Sequence, residues 1–84
     1  MLTDPYAVYN GHAYQIEARQ VGDPNLVDAK VQVAIRVSKV DAQGKPTGPE
    51  KVIWHPDGFD DFGAATRGAE RYIKTKIDDG TIGL

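Results

Sequence analysis

The chain predicts an α+β domain, an antiparallel sheet of three to four strands built from an N-terminal hairpin and a meander, with one C-terminal α-helix packed on one face. Three observations carry this. From Val27 to Val37 every odd position is apolar (Val27, Ala29, Val31, Val33, Ile35, Val37) and mostly polar residues lie between. A period of two means a strand with one buried face. Phe62, Ala65, Ala69, Ile73 and Ile77 fall on one stripe of a helix, the pattern of an element that covers such a face. Asn10-Gly11 sits between two short apolar runs and suits a two-residue type I′ turn, whose two central residues both need positive φ.

With that turn Tyr9 faces His12, Val8 faces Ala13 and Ala7 faces Tyr14. The register puts Ala7, Tyr9, Tyr14, Ile16 and Ala18 on one side and Tyr6, Val8, Gln15, Glu17 and Arg19 on the other, because side chains alternate across a strand. Residues 1–4 are expected to be a flexible tail. Strands are expected near residues 6–9 and 12–20, and Gly22-Asp23-Pro24-Asn25 then reads as a turn. The long strand over 27–40 follows. Residues 41–49, Asp41 to Pro49, are rich in Gly and Pro and are expected to be a mobile hairpin loop. Lys51 to His55 forms the next strand, with Val52 and Trp54 on one face and Lys51, Ile53 and His55 on the other.

The helix is expected over 61–79, with Asp60 or Asp61 as N-cap. Gly80 is its stop, while Asp78 and Asp79 sit at the end of the helix dipole that disfavours them. Gly68 in mid-helix costs about 1 kcal/mol against alanine, which a close approach to a neighbouring element would explain. Tyr14, Ile16, Val31, Val33, Ile35, Val37, Trp54, Phe59, Phe62, Ile73 and Ile77 are expected to form the core.

At 84 residues the chain is read as a single domain, 1–84, with one modest core. The formal net charge of −2 gives no general attraction to nucleic acid or anionic membrane. There are no cysteines, which removes disulfides, thiol chemistry and thiolate zinc sites. No apolar run is long enough for a membrane span, and the first residues lack the pattern of a signal peptide. The expected location is therefore the cytoplasm.

Chemistry finds few candidates. His55 with Asp57, Asp60 and Asp61 is the one histidine and carboxylate cluster, and its spacing matches no metal loop. It is read as a strand end, a turn and a helix cap, and His12 as the cross-strand partner of Tyr9. Gly44-Lys45-Pro46-Thr47 fails the phosphate-loop pattern, since Lys39 stands where its first Gly belongs and Pro46 where its Ser or Thr belongs. Ser38 is the single serine and lies in mid-strand. The expectation is no enzyme, no catalytic residue, no cofactor and no metal, with a metal-dependent enzyme as a further alternative.

Two surfaces remain. Arg19, Lys30, Arg36 and Lys51 are assigned to the outer sheet face, a candidate nucleic-acid surface. Tyr6, Val8, Ala34 and Ile53 are assigned to the same side as a small apolar patch, a candidate protein interface or homodimer contact. Arg67, Arg71 and Lys74 lie outward on the helix, with Glu70 placed to pair with Lys74.

Tyr9-x-Gly11, Ile16, the long strand, Ile53 with Asp57-Gly58-Phe59, then Ala65, Ala69 and Ile77-Asp78-Asp79-Gly80 together make an outline that resembles the small bacterial HlyU-like family. The resemblance runs from Tyr9 to Gly80. It implies strands followed by one helix, a bacterial source and a link to transcriptional control of a haemolysin. Trp54-His55-Pro56 departs from the family outline, which has Arg-Ala before the Asp, and no binding or catalytic residue carries over. The reading is thus a small non-enzymatic binding module whose partner is a protein or a second copy. The alternative is a transcription-related module that binds nucleic acid through the basic sheet face.

Overall fold

The computed structural model describes Leu2 and residues 5–21 and 30–84. The turn expected at residues 22–25, the strand start at 27–29 and all of the N-terminal tail but Leu2 lie outside the described residues. Four strands, β1 (Ala7–Tyr9), β2 (His12–Val21), β3 (Lys30–Val40) and β4 (Pro46–Trp54), precede one helix, α1 (Phe62–Asp79). They form one antiparallel sheet in the order β1-β2-β3-β4. The helix lies against β2 and β3, so the α+β architecture is the one the periodicities predict.

The hairpin register follows from its turn. Asn10 and Gly11 have φ of 47° and 82°, and Tyr9 pairs with His12, Val8 with Ala13 and Ala7 with Tyr14. Along β3, Val31, Val33, Ile35 and Val37 are buried toward the helix and meet Tyr14, Ala65, Ala69, Ile73 and Ile77 in one cluster. Burial of large apolar side chains at about 1.5–3 kcal/mol each is the main favourable term. The chain after the helix adds to it, since Ile82 is buried in the cluster and Leu84 packs on its border.

Both helix ends are capped. The Asp61 carboxylate accepts the Ala64 N–H at 2.7 Å. Gly80, in the left-handed region at φ 70°, stops the helix as its N–H turns back to the Ile77 carbonyl, and the Thr81 N–H reaches the Lys76 carbonyl. Asp78, unfavourable to the dipole, has tertiary partners: it accepts from the Tyr9 hydroxyl at 2.8 Å and from the Asn10 amide at 3.3 Å. Gly68 is a close approach. A Cβ there would stand 2.4 Å from the ring of Phe59, and Phe59 is itself fixed by a bridge to Val31 that extends the sheet.

Three expectations change. The loop expected over residues 41–49 is shorter, because β4 begins at Pro46 and pairs back to Val40. The Asp41 carboxylate takes the N–H groups of Gln43 and Lys45, and the turn closes in five residues, 41–45. Proline fits this strand because β4 is an edge. Val40 directs its N–H to Gly11 on the opposite side, so the donor that Pro46 lacks would have faced solvent. The register then shifts between Val37 and Lys39, and Gly48 adopts φ 75° there. The other two changes concern the core: Trp54 and Phe62 are 59% and 51% exposed. Trp54 lies on the face away from the helix, and Phe62 begins the helix before its buried stripe starts at Ala65.

Candidate functional site

One face of the sheet is covered by α1; the other, the outer face, has no second layer of helix or sheet among the described residues. Cross-strand pairing fixes its members. Glu17, Ala34 and Trp54 make one row, and Gln15, Arg36 and Val52 the next. Farther along, Val8 lies beside Ala13 and Ala13 beside Ser38. The centre of this face is closed: Ala13, Ala34 and Ser38 are buried, and so is Leu2 of the N-terminal segment, which is not part of the helix-side cluster. Its borders are open and apolar, with Val8 at 51%, Val52 at 49% and Trp54 at 59% exposure.

The predicted apolar patch is therefore partly right in membership. Val8 and Ala34 lie on the outer face, and Tyr6 precedes Val8 by two residues at its border. Ile53 does not belong. It pairs with Ile35 and packs against the core on the helix side. Val52 and Trp54 take its place. The turn that closes Val40 against Pro46 pairs odd residues of β3 with odd residues of β4, and the two-residue shift near Gly48 preserves that parity.

The basic set is dispersed, and two of its four members face carboxylates. Lys51 pairs with Val37 on the helix side, where its ammonium donates to the Ile82 carbonyl at 2.7 Å. Its assignment to the outer face is corrected for the same reason of parity as Ile53. Arg36 is outward but lies 3.1 Å from Glu17 and 3.5 Å from Glu50. Lys30 is paired with Asp60, and that hydrogen bond holds the Asp60 carboxyl below its usual range. Of the four, Arg19 has no ion-pair partner among the described residues. On the helix, Lys74 pairs with Glu70 at 3.5 Å.

His55 is a packing residue. Its ring lies 4.8 Å from Phe59 and 4.5 Å from Tyr72 between centroids, and its Nδ1 accepts the Asp57 N–H at 3.0 Å. His12 donates from Nδ1 to the Asn10 carbonyl at 3.1 Å. Among the described residues no three His, Asp or Glu side chains converge on a point where an ion could sit. No described helix is long and apolar enough to cross a membrane.

The free edge of β4 completes the surface. Val31 and Phe59 exchange backbone hydrogen bonds, and the His55 N–H donates to Val33. Antiparallel alternation then directs the peptide groups of Ile53 and Lys51 toward β3, and those of Val52 and Trp54 outward. The two exposed apolar side chains of β4 and the backbone groups with no strand partner among the described residues thus belong to the same two residues. No family model, no curated protein and no solved structure matches the chain.

Proposed function

We propose that this domain is a non-enzymatic binding module that contacts protein through the outer face and β4 edge of its sheet, centred on Val52 and Trp54. The observation that carries the reading is the exposed Trp54 beside exposed Val52 on an uncovered face. Large aromatic side chains that desolvate on contact are the usual anchors of protein interfaces, and a bare strand edge adds backbone donors and acceptors. The charge arrangement favours this over nucleic acid. Arg36 and Lys30 already face carboxylates, and Lys51 is on the other side of the sheet. The resemblance to the HlyU-like family adds a setting, a bacterial cytoplasm and a regulatory circuit, to the same proposal.

The test compares protein capture with duplex binding. Immobilised domain and its Trp54→Ser variant are exposed to host lysate and the retained proteins are identified. The expected result is a defined protein retained at moderate salt by the native chain and lost by the variant. The purified domain is also titrated with a random DNA duplex at low salt. Binding with a log-log salt slope of about −3 or steeper, the signature of several phosphate contacts, would replace this reading with the nucleic-acid one.

A further inference from the structure

We infer that the occupant of the β4 edge is a second copy of the same strand, paired antiparallel about a two-fold axis at Ile53, so that two four-stranded sheets join into one. The inference rests on the proposed protein-binding reading and names its partner.

The register of the edge is self-complementary. In an antiparallel ladder, residues opposite each other direct their peptide groups the same way, both into the shared ladder or both away from it. Val52 and Trp54 are the outward pair in β4. An axis at Ile53 sets Val52 opposite the partner's Trp54, and Trp54 opposite the partner's Val52. Each such pair exchanges two hydrogen bonds, so the outward groups of these residues in both chains are satisfied together.

The side chains agree with the same axis. On the outer face two valine-tryptophan pairs form, the aromatic and β-branched combination that stabilises neighbouring strands. On the helix side Ile53 meets the partner's Ile53, and Lys51 meets the partner's His55. Shifting the axis to Lys51 would set two ammonium groups against each other, a destabilising arrangement. The sheet protects other parts of this edge. Pro46, Gly48 and Pro49 interrupt the first half of β4, and proline is a device that blunts edges. An inward-pointing charge is another such device, but the Lys51 ammonium is drawn away to the Ile82 carbonyl. Among the described residues the stretch from Lys51 to Trp54 is left without a guard.

A contact this short lies at the low end of interface sizes, below ~1,200 Å² in total. The dimer is therefore weak and concentration-dependent. Sedimentation of the purified chain from low micromolar to about 1 mM, the range of weak association, should show a monomer passing to a dimer. Val52→Pro removes an outward donor that β3 does not use, and Trp54→Lys removes the cross-strand pairs at an exposed position. Each should leave a folded monomer over the same range, as judged by circular dichroism and an unfolding transition.

Geometry is tested separately. The chain has no cysteine, so Ile53→Cys introduces a single thiol next to its symmetry mate. Non-hydrogen-bonded pairs bring Cα atoms to about 4.5 Å, within disulfide range. Mild oxidation should cross-link Ile53→Cys and not Arg67→Cys on the helix. A chain that stays monomeric to 1 mM, or a dimer that survives both edge variants, overturns the inference. If the monomer still captures a protein through Trp54, the broader binding reading stands and only the second copy is excluded.

Discussion

β3 and β4 are neighbours in the sheet with opposite characters. β3 is buried on both faces over much of its length, with Val33, Ile35 and Val37 under the helix and Ala34 and Ser38 sealed on the outer side. β4 has no fully buried residue. The difference is positional. A strand between two others has its side chains flanked on both sides, so small residues there exclude water on a face that no described helix or sheet covers. An edge strand has flanks on one side alone, and Val52 and Trp54 stay wet although they are larger and more apolar than Ala34 and Ser38. Burial here reports position in the sheet before it reports hydrophobicity.

The sharpest break in that comparison is a matched truncation. Ile35→Ala should lower the unfolding free energy by about 2–5 kcal/mol, the cost of lost transfer energy plus a cavity. Trp54→Ala removes a larger side chain and should change it by no more than ~0.5 kcal/mol, as for an ordinary surface site. Urea unfolding of the two variants at a concentration where the chain is monomeric measures both. A large loss for Trp54→Ala would show that β4 supports the fold as β3 does.

Gly68→Ala probes the bridge that continues the edge beyond β4. Alanine gains about 1 kcal/mol of helix propensity, but its Cβ meets the Phe59 ring at 2.4 Å. That ring is held by the Val31 bridge and by His55, and overpacking costs roughly 1–3 kcal/mol. The net effect should be destabilising, and adding Phe59→Leu should return most of the loss. A stabilised Gly68→Ala would mean that the bridge gives way freely.

Tyr14 tests the covered face by pH. Burial first, and then its hydrogen bond to the Glu70 carboxylate with the charge of that group, push the phenol up to about 12. The folded chain then keeps a proton that the unfolded chain loses near pH 10. That contribution is whole below pH 10 and declines as pH rises through about 12, since stability falls wherever the folded state binds more protons. Tyr14→Phe should flatten this alkaline fall in thermal unfolding and cost about 1 kcal/mol at neutral pH through the lost hydrogen bond. Part of the slope should remain with Tyr9, whose hydrogen bond to Asp78 raises it in the same sense.

The smallest effect is on the outer side of β3. The Ser38 hydroxyl is buried without a hydrogen-bond partner among the described residues. Ser38→Ala removes an unsatisfied polar group and should be neutral or stabilising by up to about 1 kcal/mol. A clear loss of stability would mean that the hydroxyl has a bound partner and that the centre of the outer face is not dry.

The sequence by itself determined the kind and order of the elements. Alternation in β3, the Asn10-Gly11 turn, the spacing of Ala65, Ala69, Ile73 and Ile77 and a cap at Asp60 or Asp61 are local signals, written within a few residues of where they act. It also determined which side chains of a strand travel together. Tertiary structure decided which way β4 faces. Both parities of that strand carry apolar residues, Ile53 on one side and Val52 with Trp54 on the other, so no count of hydrophobicity could choose between them. The choice fell to the Val40 to Pro46 closure and the shift at Gly48, which tie β4 to a strand whose inner face was already fixed. The same coupling moved Lys51 under the sheet and set Glu17 and Glu50 around Arg36. Charge pairing and exposure across strands depend on which residues become neighbours, and distance along the chain does not record that.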